Sequence, residues 1–370
     1  MAPYLVLLAA IPLVAAITKP DDKAGGRKAF YFVIFGFMMA LAAVRSYTVG
    51  VDTEQYCNAY LRFGIYDIDF SDSRYEPGFQ ILLKTLNAIS GNYQLLLIVS
   101  SLFIFGSVAV FFYRLSEHHT LSAFLFVCLT TYFMYMNAMR QAIAIAIILI
   151  ALPGLIRNRK WLLFAICVIL AAQFHQSAYL ALVLIPLAWV PFGKKAIIAY
   201  LVLMAALVLA TSFFTENIAS LLGKDTFYSA KYSGSNYFGG LIKVLFVFFL
   251  CFVSVFLILR AKKQGKSVFR NEKINIDLVL HMLMLWAVFS VFGMQVEIAG
   301  RLGLYFGIVA PVAVSSALWV YGSRNGAYAR WAICLTVLAY FLVVCIFRPE
   351  WQGAIPYVAD FARVTELFFY

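Results

Sequence analysis

Long apolar runs separated by short polar connections are the feature that most constrains this chain. About 20 apolar residues in a helix cross a bilayer, so these runs predict an all-α, polytopic membrane protein with about 12 transmembrane helices. Several runs are shorter than that, and we expect their helices to extend into the flanking residues. On this reading the whole chain, 1–370, is one transmembrane domain. The runs lie at roughly 2–17, 29–44, 92–113, 120–136, 138–156, 161–174, 177–190, 196–213, 239–259, 277–295, 302–320 and 331–347.

The composition excludes the other broad classes of protein. Apolar residues make up 64% of the chain and charged residues 12%, whereas a soluble domain is about half apolar and a quarter charged. A net charge of +12 suits a nucleic-acid partner only where a basic, water-facing domain exists. No stretch here is long and polar enough to form one. We therefore expect membrane lipids, and no nucleic acid, as surroundings.

The Lys and Arg residues indicate which connections face the cytoplasm. Counted along the chain, every second connection belongs to a set that holds 18 of the 29 Lys and Arg residues, and the other set holds 11 of them with 12 acids. Cytoplasmic loops of membrane proteins carry the excess of Lys and Arg. The basic set is therefore predicted to be cytoplasmic, with both termini outside. Its members are 18–28, 114–119, 157–160, 191–195, 260–276 and 321–330.

Two of the predicted outer segments are long. The first, 45–91, contains a stretch at 76–90 that reads as an interfacial helix, because Pro77 suits a helix start and the apolar residues share a face opposite Lys84. The second, 214–238, is rich in Tyr, Ser and Gly.

Polar and ionisable residues collect at the predicted outer ends of the runs. Such residues in a membrane protein are functional hypotheses by default. A single arginine at a span border can equally anchor lipid headgroups. Several arginines without nearby acids instead suggest phosphate, which guanidinium groups bind in forked pairs. The expected ligand is a lipid-linked diphosphate. The residues are Arg45, Asp52, Glu76, Asn137, Arg140, Gln141, His175, Gln176, Glu297 and Arg301.

Two further motifs carry weaker signals. Asp67-Ile68-Asp69 has the D-x-D form that binds metal–nucleotide sugars in some transferases, but a lone triplet in an acidic loop is unspecific. His118 and His119 lack the H-E-x-x-H spacing of a zinc site and are predicted to lie in a solvated turn. We therefore predict no metal site.

Six short motifs stand out at and near these polar residues. They are RSYTVGVDTEQY (Arg45 to Tyr56), YEPGF (Tyr75 to Phe79), MRQAIA (Met139 to Ala144), FHQSA (Phe174 to Ala178), GRLGLYF (Gly300 to Phe306) and IPY (Ile355 to Tyr357). In this order and with these gaps, they resemble the EpsG family of bacterial polysaccharide-polymerase-like membrane proteins, which are related to the Wzy polymerases. The resemblance runs from about 40 to 190 and returns near 297–306 and 350–358.

The resemblance implies a polymerase at the outer face of the bacterial cytoplasmic (inner) membrane, with its active site facing the periplasm or the outside. Donor and acceptor would both be glycans on undecaprenyl diphosphate, and neither a cofactor nor a metal is implied. A chain-length regulator and a flippase of the same pathway are possible partners. The fold would be similar to the GT-C type of membrane glycosyltransferases. The polymer could be O-antigen, capsule or exopolysaccharide.

Roles can then be assigned as hypotheses. His175 is the first candidate for the general base, because its usual pKa is close to working pH, and Glu76 and Asp52 are alternative bases or its partners. Arg140 and Arg301 would stabilise the leaving diphosphate. The residues predicted to contact substrate are Arg45, Tyr47, Tyr56, Asn137, Gln141, Gln176, Glu297 and Tyr305.

Other functions remain open at this point. A transporter of lipid-linked sugars would place polar groups along a path through the bilayer, whereas this chain concentrates them at one face. An O-antigen-ligase-like transferase would use similar arginines and a histidine, with a large outer loop late in the chain rather than early. A membrane acyltransferase would need its histidine on the cytoplasmic side. A non-catalytic assembly partner is the fourth alternative.

Overall fold

A computed structural model describes residues 1–65, 74–221, 237–271, 273–294, 297–321 and 324–369. The Asp67–Asp69 triplet and most of the predicted outer segment 214–238 lie outside these ranges. The helices are α1 (Ala2–Thr18), α2 (Ala24–Ala43), α3 (Thr53–Ile65), α4 (Pro77–Ile89), α5 (Gln94–Leu115), α6 (His119–Cys128), α7 (Thr131–Asn137), α8 (Met139–Asn158), α9 (Trp161–Ala172), α10 (Leu184–Leu187), α11 (Lys194–Leu221), α12 (Tyr237–Lys263), α13 (Ile276–Phe292), α14 (Glu297–Leu302), α15 (Leu304–Gly307), α16 (Ala310–Trp319), α17 (Arg324–Phe347) and α18 (Phe361–Phe369), with 3-10 helices at Gln176–Val183 and Pro349–Trp351.

Every predicted apolar run coincides with one helix or with consecutive shorter helices. Among the described residues, five helices are long and apolar enough to cross a membrane, or up to seven if each bent pair is one span. The bends are 58° between α6 and α7 and 42° at the break before α16. The first bend follows Thr130, whose backbone is left-handed (φ 58°). The all-helical, polytopic class is thus confirmed, and the larger number of spans stays a prediction.

The chain folds as two compact units. The first comprises 1–155, 160–179 and 321–370. Its core is aromatic: the rings of Tyr4 and Phe133 lie 4.5 Å apart and those of Phe105 and Tyr132 lie 4.9 Å apart. Aromatic side chains bury large apolar areas, and such pairs add a further increment of stability.

Helices α2 and α5 pack side by side in opposite directions within this unit. At one end Asp21, just before α2, pairs with His118, just after α5. At the other end the amide of Gln94 donates to the carbonyl of Ala43 at the end of α2. The pair therefore defines two opposite ends of the first unit.

The second unit comprises 156–159 and 180–320. Helix α13 is central to it and contacts α10, α11, α12, α14 and α15. Its His281 is buried, with Nδ1 lying 2.9 Å from the hydroxyl of Tyr200 on α11 and Nε2 lying 3.1 Å from the carbonyl of Val190. A polar side chain inside this apolar unit is thus fully hydrogen-bonded.

The first long loop contains one helix that was predicted and one that was not. The predicted helix at 76–90 is α4 (Pro77–Ile89), and its interfacial position stays a prediction. The additional helix is α3, whose buried residues include Tyr56, Tyr60 and Phe63. These residues recur at helical spacing, but the helix as a whole is too polar to stand out as an apolar run.

The prediction of a solvated turn at His118 and His119 was wrong for His119. Its ring is buried and its Nδ1 lies 3.1 Å from the hydroxyl of Tyr31, whereas the His118 side chain is 27% exposed. Asp21 accepts hydrogen bonds from the N–H of His119 and the hydroxyl of Thr120, and it lies about a hundred residues away in the sequence. The residues around His119 therefore do not indicate this partner.

Candidate active site

A close approach of two backbones fixes the position of Glu76. Glu76 precedes α4, Pro77 occupies its first turn, and the N–H of Gly78 donates to the carbonyl of Gln173 at 2.8 Å. A Cβ atom at position 78 would lie 2.8 Å from that carbonyl oxygen, so only glycine allows the contact. The YEPGF motif therefore clamps the start of α4 onto the segment that carries His175.

The Glu76 carboxylate joins two other predicted residues. Its Oε2 accepts from Nη1 of Arg140 at 2.7 Å, and its Oε1 lies 3.2 Å from Nδ1 of His175. The backbone N–H of Gln176 also donates to Oε1, at 3.2 Å. These contacts span 64 to 100 residues of sequence. The fold thus brings three of the five predicted catalytic residues into direct contact.

The site is largely shielded from solvent. The side chains of Glu76, Arg140 and His175 are 10%, 17% and 28% exposed. Exposure increases from the carboxylate to the histidine, so His175 is the member that an incoming molecule reaches most easily. Ion pairs at this degree of burial are screened less than surface pairs and hold their geometry better.

Two tyrosine rings complete the surroundings of Arg140. The guanidinium carbon lies 5.0 Å from the ring centroid of Tyr75 and 6.0 Å from that of Tyr56. Nη1 also donates to the carbonyl of Arg74, at 3.4 Å. Arg140 Nε is buried and, among the residues that the structure describes, has no hydrogen-bond partner. Arginine is held here by stacking as well as by charge, which lysine cannot reproduce.

Electrostatics separate the roles of Glu76 and His175. Burial by itself raises the pKa of the Glu76 carboxyl, but the hydrogen bond with His175 and the positive charge of Arg140 outweigh burial and lower that pKa to about 2. Such a carboxylate is a weak proton acceptor near neutral pH. When His175 Nδ1 donates to it, Nε2 is the basic ring nitrogen. The geometry therefore favours Glu76 as the group that orients His175, and not as the base.

Asp52 and Asn137 belong to a neighbouring network. The N–H of Asp52 donates to Oδ1 of Asn137 at 2.7 Å, and Nδ2 of Asn137 lies 3.5 Å from Oε1 of Gln352. The N–H of Gly50 donates to the carbonyl of Gly353 at 2.7 Å. Asn137, which lies three residues before Arg140, thus links the loop before α3 to the C-terminal segment.

Arg45 has surroundings unlike those predicted for a substrate contact. Its side chain is almost fully buried, 2% exposed, and it donates to the carbonyls of Ala42 and, at 3.1 Å, Met136. Those carbonyls lie at the C-terminal ends of α2 and α7, where a positive charge is favourable. Its backbone forms a bridge with Ala359. The contacts indicate that Arg45 positions helices, and its binding of substrate stays a prediction.

The other predicted contact residues are spread over both units. In the first unit Tyr47 and Gln176 are exposed, whereas Tyr56 and Gln141 are buried. In the second unit Arg301 is half-buried on α14 and Tyr305 is buried on α15. Glu297 begins α14.

Two contributors to the site were not assigned by sequence reasoning. Tyr75, within the YEPGF motif, supplies the nearer ring to Arg140, and an aromatic residue directly before the motif's acid was the available signal. Gln352 meets Asn137 across 215 residues. No local pattern marks Gln352, because its partner is set only by the return of the C-terminal segment.

Fold and site together define an all-helical, polytopic membrane protein with a buried arginine–carboxylate–histidine contact where α4 and α8 begin. Comparison with family models makes this more specific. Residues 28–359 match the model of the EpsG family, and the chain belongs to that family, a Wzy-like family of polysaccharide polymerases. No curated protein and no solved structure gave a significant match.

Proposed function

We propose that this protein polymerises a cell-surface polysaccharide by moving the growing glycan from undecaprenyl diphosphate to a new lipid-linked repeat unit. The family supplies the reaction class. The observation that carries the assignment of the site is the Glu76 carboxylate, which contacts Arg140 and His175 at hydrogen-bond distance. A histidine base oriented by a carboxylate, with an arginine beside it, is suited to glycosyl transfer from a diphosphate.

The proposed step has one acceptor, one base and one leaving group. The acceptor hydroxyl attacks the anomeric carbon of the growing chain and gives its proton to Nε2 of His175. The bond between that carbon and the diphosphate oxygen breaks, and undecaprenyl diphosphate leaves with the electron pair. Arg140 stabilises the negative charge that develops on the leaving oxygen. Direct attack inverts the anomeric centre.

The other predicted residues take supporting roles in this proposal. Arg301, Glu297 and Tyr305 belong to the second unit, and their contact with the lipid-linked substrate stays a prediction from the sequence. Asp52 and Asn137 position the loop beside Arg140 through the hydrogen bond between them. The exposed Tyr47 and Gln176 contact sugar or lipid, whereas the buried Tyr56 and Gln141, also predicted as substrate contacts, support the surroundings of Arg140. No metal takes part, because arginines supply the charge that a metal would otherwise provide.

The proposal includes the location of the active site and the orientation of the chain in the membrane. The site lies at the outer face of the bacterial cytoplasmic membrane, with both termini outside, about 12 spans and a GT-C-like fold. The distribution of Lys and Arg supports this orientation. Glu76, Arg140 and His175 all lie in or beside the set of connections that holds 11 Lys and Arg residues with 12 acids, which is the set predicted to face outward. A flippase would supply the substrate and a chain-length regulator would act on the product.

Transport of lipid-linked sugar is the second candidate function. It would be favoured by ionisable groups along the length of the spans. Arg140 instead begins α8 and Glu76 precedes α4, so the charges of the site lie at helix ends. Polymerisation therefore explains their position better.

Product formation in liposomes tests the proposal. The full-length protein is reconstituted with the undecaprenyl-diphosphate-linked repeat unit of its own host, with and without a chelator, and the products are separated on a gel. We expect a ladder that is insensitive to chelator, is lost in Arg140→Ala and persists in Arg348→Ala. Arg348 is a matched control, because it also pairs with a carboxylate at about the same distance, but with Glu350 (2.8 Å) and not with Glu76. Labelled lipid in the opposite leaflet without a ladder would overturn the proposal in favour of transport.

A further inference from the structure

A basic cleft of about 500 Å³ lies in the second unit. It forms where α8 and α12 end and α13 begins. Arg157, Arg159, Lys262 and Lys273 line it, and Asp277 is the acid among its described lining residues. Lys262 and Asp277 are paired at 2.8 Å. Positive charge therefore exceeds negative charge within one concave surface.

Backbone hydrogen bonds give the cleft a fixed wall. The N–H of Asn275 donates to the carbonyl of Ile156 at 2.8 Å, and its side-chain amide donates to the carbonyl of Ala188 at 2.7 Å. Its Oδ1 accepts from the N–H of Leu278 and so caps α13. Asn275 thus joins the start of α13 to the end of α8 and to the residue that follows α10.

Arg159 has a backbone conformation that arginine rarely adopts. It follows the last residue of α8 with a φ of 50°, a position where glycine or asparagine is preferred. Its guanidinium lies 5.8 Å from the ring centroid of Trp189. The backbone conformation alone would favour glycine at this position. The presence of arginine therefore suggests that its charged side chain is needed in the cleft.

A second, smaller cleft adjoins the first. Its volume is about 300 Å³, and Lys262, Ile274 and Ile276 line both clefts. Lys266 adds a cation and Ser267 a hydroxyl group to the lining of the second cleft. Two adjoining clefts with a shared lysine match a ligand that carries two phosphate groups.

The position of the clefts indicates where that ligand resides. Helices α8 and α12 are both long and apolar enough to cross a membrane, and the clefts lie at the ends of these helices. Trp189 stacks with Arg159, and Trp319 stacks with Arg270 at 5.5 Å. Tryptophan and arginine at span ends are typical of the headgroup level of a bilayer. We propose that these clefts bind the phosphate groups of an anionic phospholipid, most tightly one with two phosphates, on the cytoplasmic side.

Lipid binding by the purified full-length protein tests this inference. Native mass spectrometry in a neutral detergent would follow titrations with cardiolipin, phosphatidylglycerol and phosphatidylcholine. We expect cardiolipin to bind most tightly and phosphatidylcholine to compete poorly. In Arg159→Gly, cardiolipin binding should weaken about fivefold, since one cation near a membrane surface contributes roughly that factor. The glycine also suits the local backbone, so the variant should fold.

The chain offers a matched control for this variant. Lys19 also follows a helix, α1, with a left-handed backbone (φ 51°). Lys19→Gly removes the same charge from the same backbone conformation but lies outside the clefts, and we expect it to bind cardiolipin like the parent. Adding Lys273→Gln to Arg159→Gly should weaken binding by about 30-fold in total.

Two results would overturn the inference. Equal loss of binding in Lys19→Gly and Arg159→Gly would mean that net charge, and not the clefts, attracts the lipid. Pyrophosphate that displaces cardiolipin at micromolar concentration, with the same loss in Arg159→Gly, would assign the clefts to a soluble phosphate compound. Neither result bears on the proposed polymerisation, because the Glu76–Arg140–His175 contact that carries it lies in the first unit.

Discussion

Two histidine–carboxylate pairs with similar separations lie at opposite ends of the first unit. His118 and Asp21 approach to 3.0 Å, and His175 and Glu76 to 3.2 Å, with the two histidines exposed to nearly the same extent, 27% and 28%. The ion-pair distance and the exposure of the histidine alone therefore do not separate a functional pair from a structural one. The other partners of each carboxylate do.

Asp21 is used as a helix cap. Its Oδ1 accepts the N–H of His119 at the start of α6, and its Oδ2 accepts from the hydroxyl of Thr120. Glu76 instead receives Arg140, whose guanidinium lies beside two tyrosine rings. A carboxylate that satisfies a helix end stabilises the fold, whereas in the proposed function the carboxylate that joins an arginine to a histidine orients the base. Each variant of the Glu76–His175 pair therefore has a matched control variant in the Asp21–His118 pair.

The largest expected difference is between the two histidines. In His175→Ala, polymer formation should fall by about 10² to 10⁴, the usual contribution of a general base. His118→Ala should make polymer like the parent protein. The rate of ladder formation in liposomes measures both variants. Similar losses in the two would remove the distinction between the ends.

Arg140→Lys tests whether charge alone is sufficient beside Glu76. Lysine keeps the charge but loses the forked donors and the stacking on Tyr75 and Tyr56. We expect the rate of polymer formation to fall by about 10². Arg348→Lys is the control and should leave the rate unchanged. Parent-like activity of Arg140→Lys would reduce the role of Arg140 to that of a point charge.

The low pKa of Glu76 predicts a pH dependence of stability. Because the pKa is about 2 in the folded protein and about 4.3 in the unfolded chain, the stabilisation is complete above the unfolded value. It is lost as pH falls through these two values, by about 3 kcal/mol in total. Thermal unfolding in detergent between pH 6 and pH 3 should show a smaller decline in Glu76→Gln than in the parent.

The Asp21 pair supplies the control for that measurement. The pKa of Asp21 is also lowered: burial raises it, but the contact with His118 and the hydrogen bond from the N–H of His119 outweigh burial. Asp21→Asn should therefore remove a separate share of the pH dependence, and the two variants should combine additively because they share no partners. An unchanged slope in Glu76→Gln would show that the carboxylate is not stabilised as described.

Gly78→Ala tests the clamp that fixes Glu76. The new Cβ would lie 2.8 Å from the carbonyl oxygen of Gln173, so we expect a loss of about 1–3 kcal/mol in stability together with slower polymer formation. Gly91→Ala is the matched control, since nothing lies within 4 Å of its Cβ position. If both variants behave alike, the contact between positions 78 and 173 does not position Glu76.

Tyr75→Leu should have the smallest effect of the series. It removes the aromatic ring 5.0 Å from the Arg140 guanidinium, an interaction of about 0.5–1 kcal/mol at partly exposed sites. We expect a few-fold slower polymer formation, with Tyr75→Phe close to the parent. A loss as large as that of Arg140→Lys would mean that Tyr75 itself contacts substrate.

The sequence allowed the helices to be predicted far better than the partners of individual side chains. Apolar runs locate helices because a membrane span must satisfy its own backbone, and the positions of Glu76, Arg140 and His175 at run ends suggested that they share one face. The burial of Arg45 was not predictable. In the sequence it looks like the other border arginines, and only the packing of α2 against the chain near Met136 encloses it.

The same limit applies to contacts across long separations. Asn137 was singled out, but its bond to Gln352 depends on the C-terminal segment returning to the loop at Gly50. Helix α3 was missed because its polar face lowers its overall hydropathy. Local composition therefore predicted elements, and the fold alone decided which polar groups meet.

The most direct test of the central claim compares the two carboxylates through isosteric variants. Glu76→Gln and Asp21→Asn each remove one negative charge from a histidine pair and keep the shape of the side chain. Reconstituted with lipid-linked repeat unit, Asp21→Asn should make polymer like the parent, whereas Glu76→Gln should be slower by about 10² or more, since His175 loses its orienting partner. Equal activity of the two variants would contradict the assignment of the Glu76–Arg140–His175 contact as the active site.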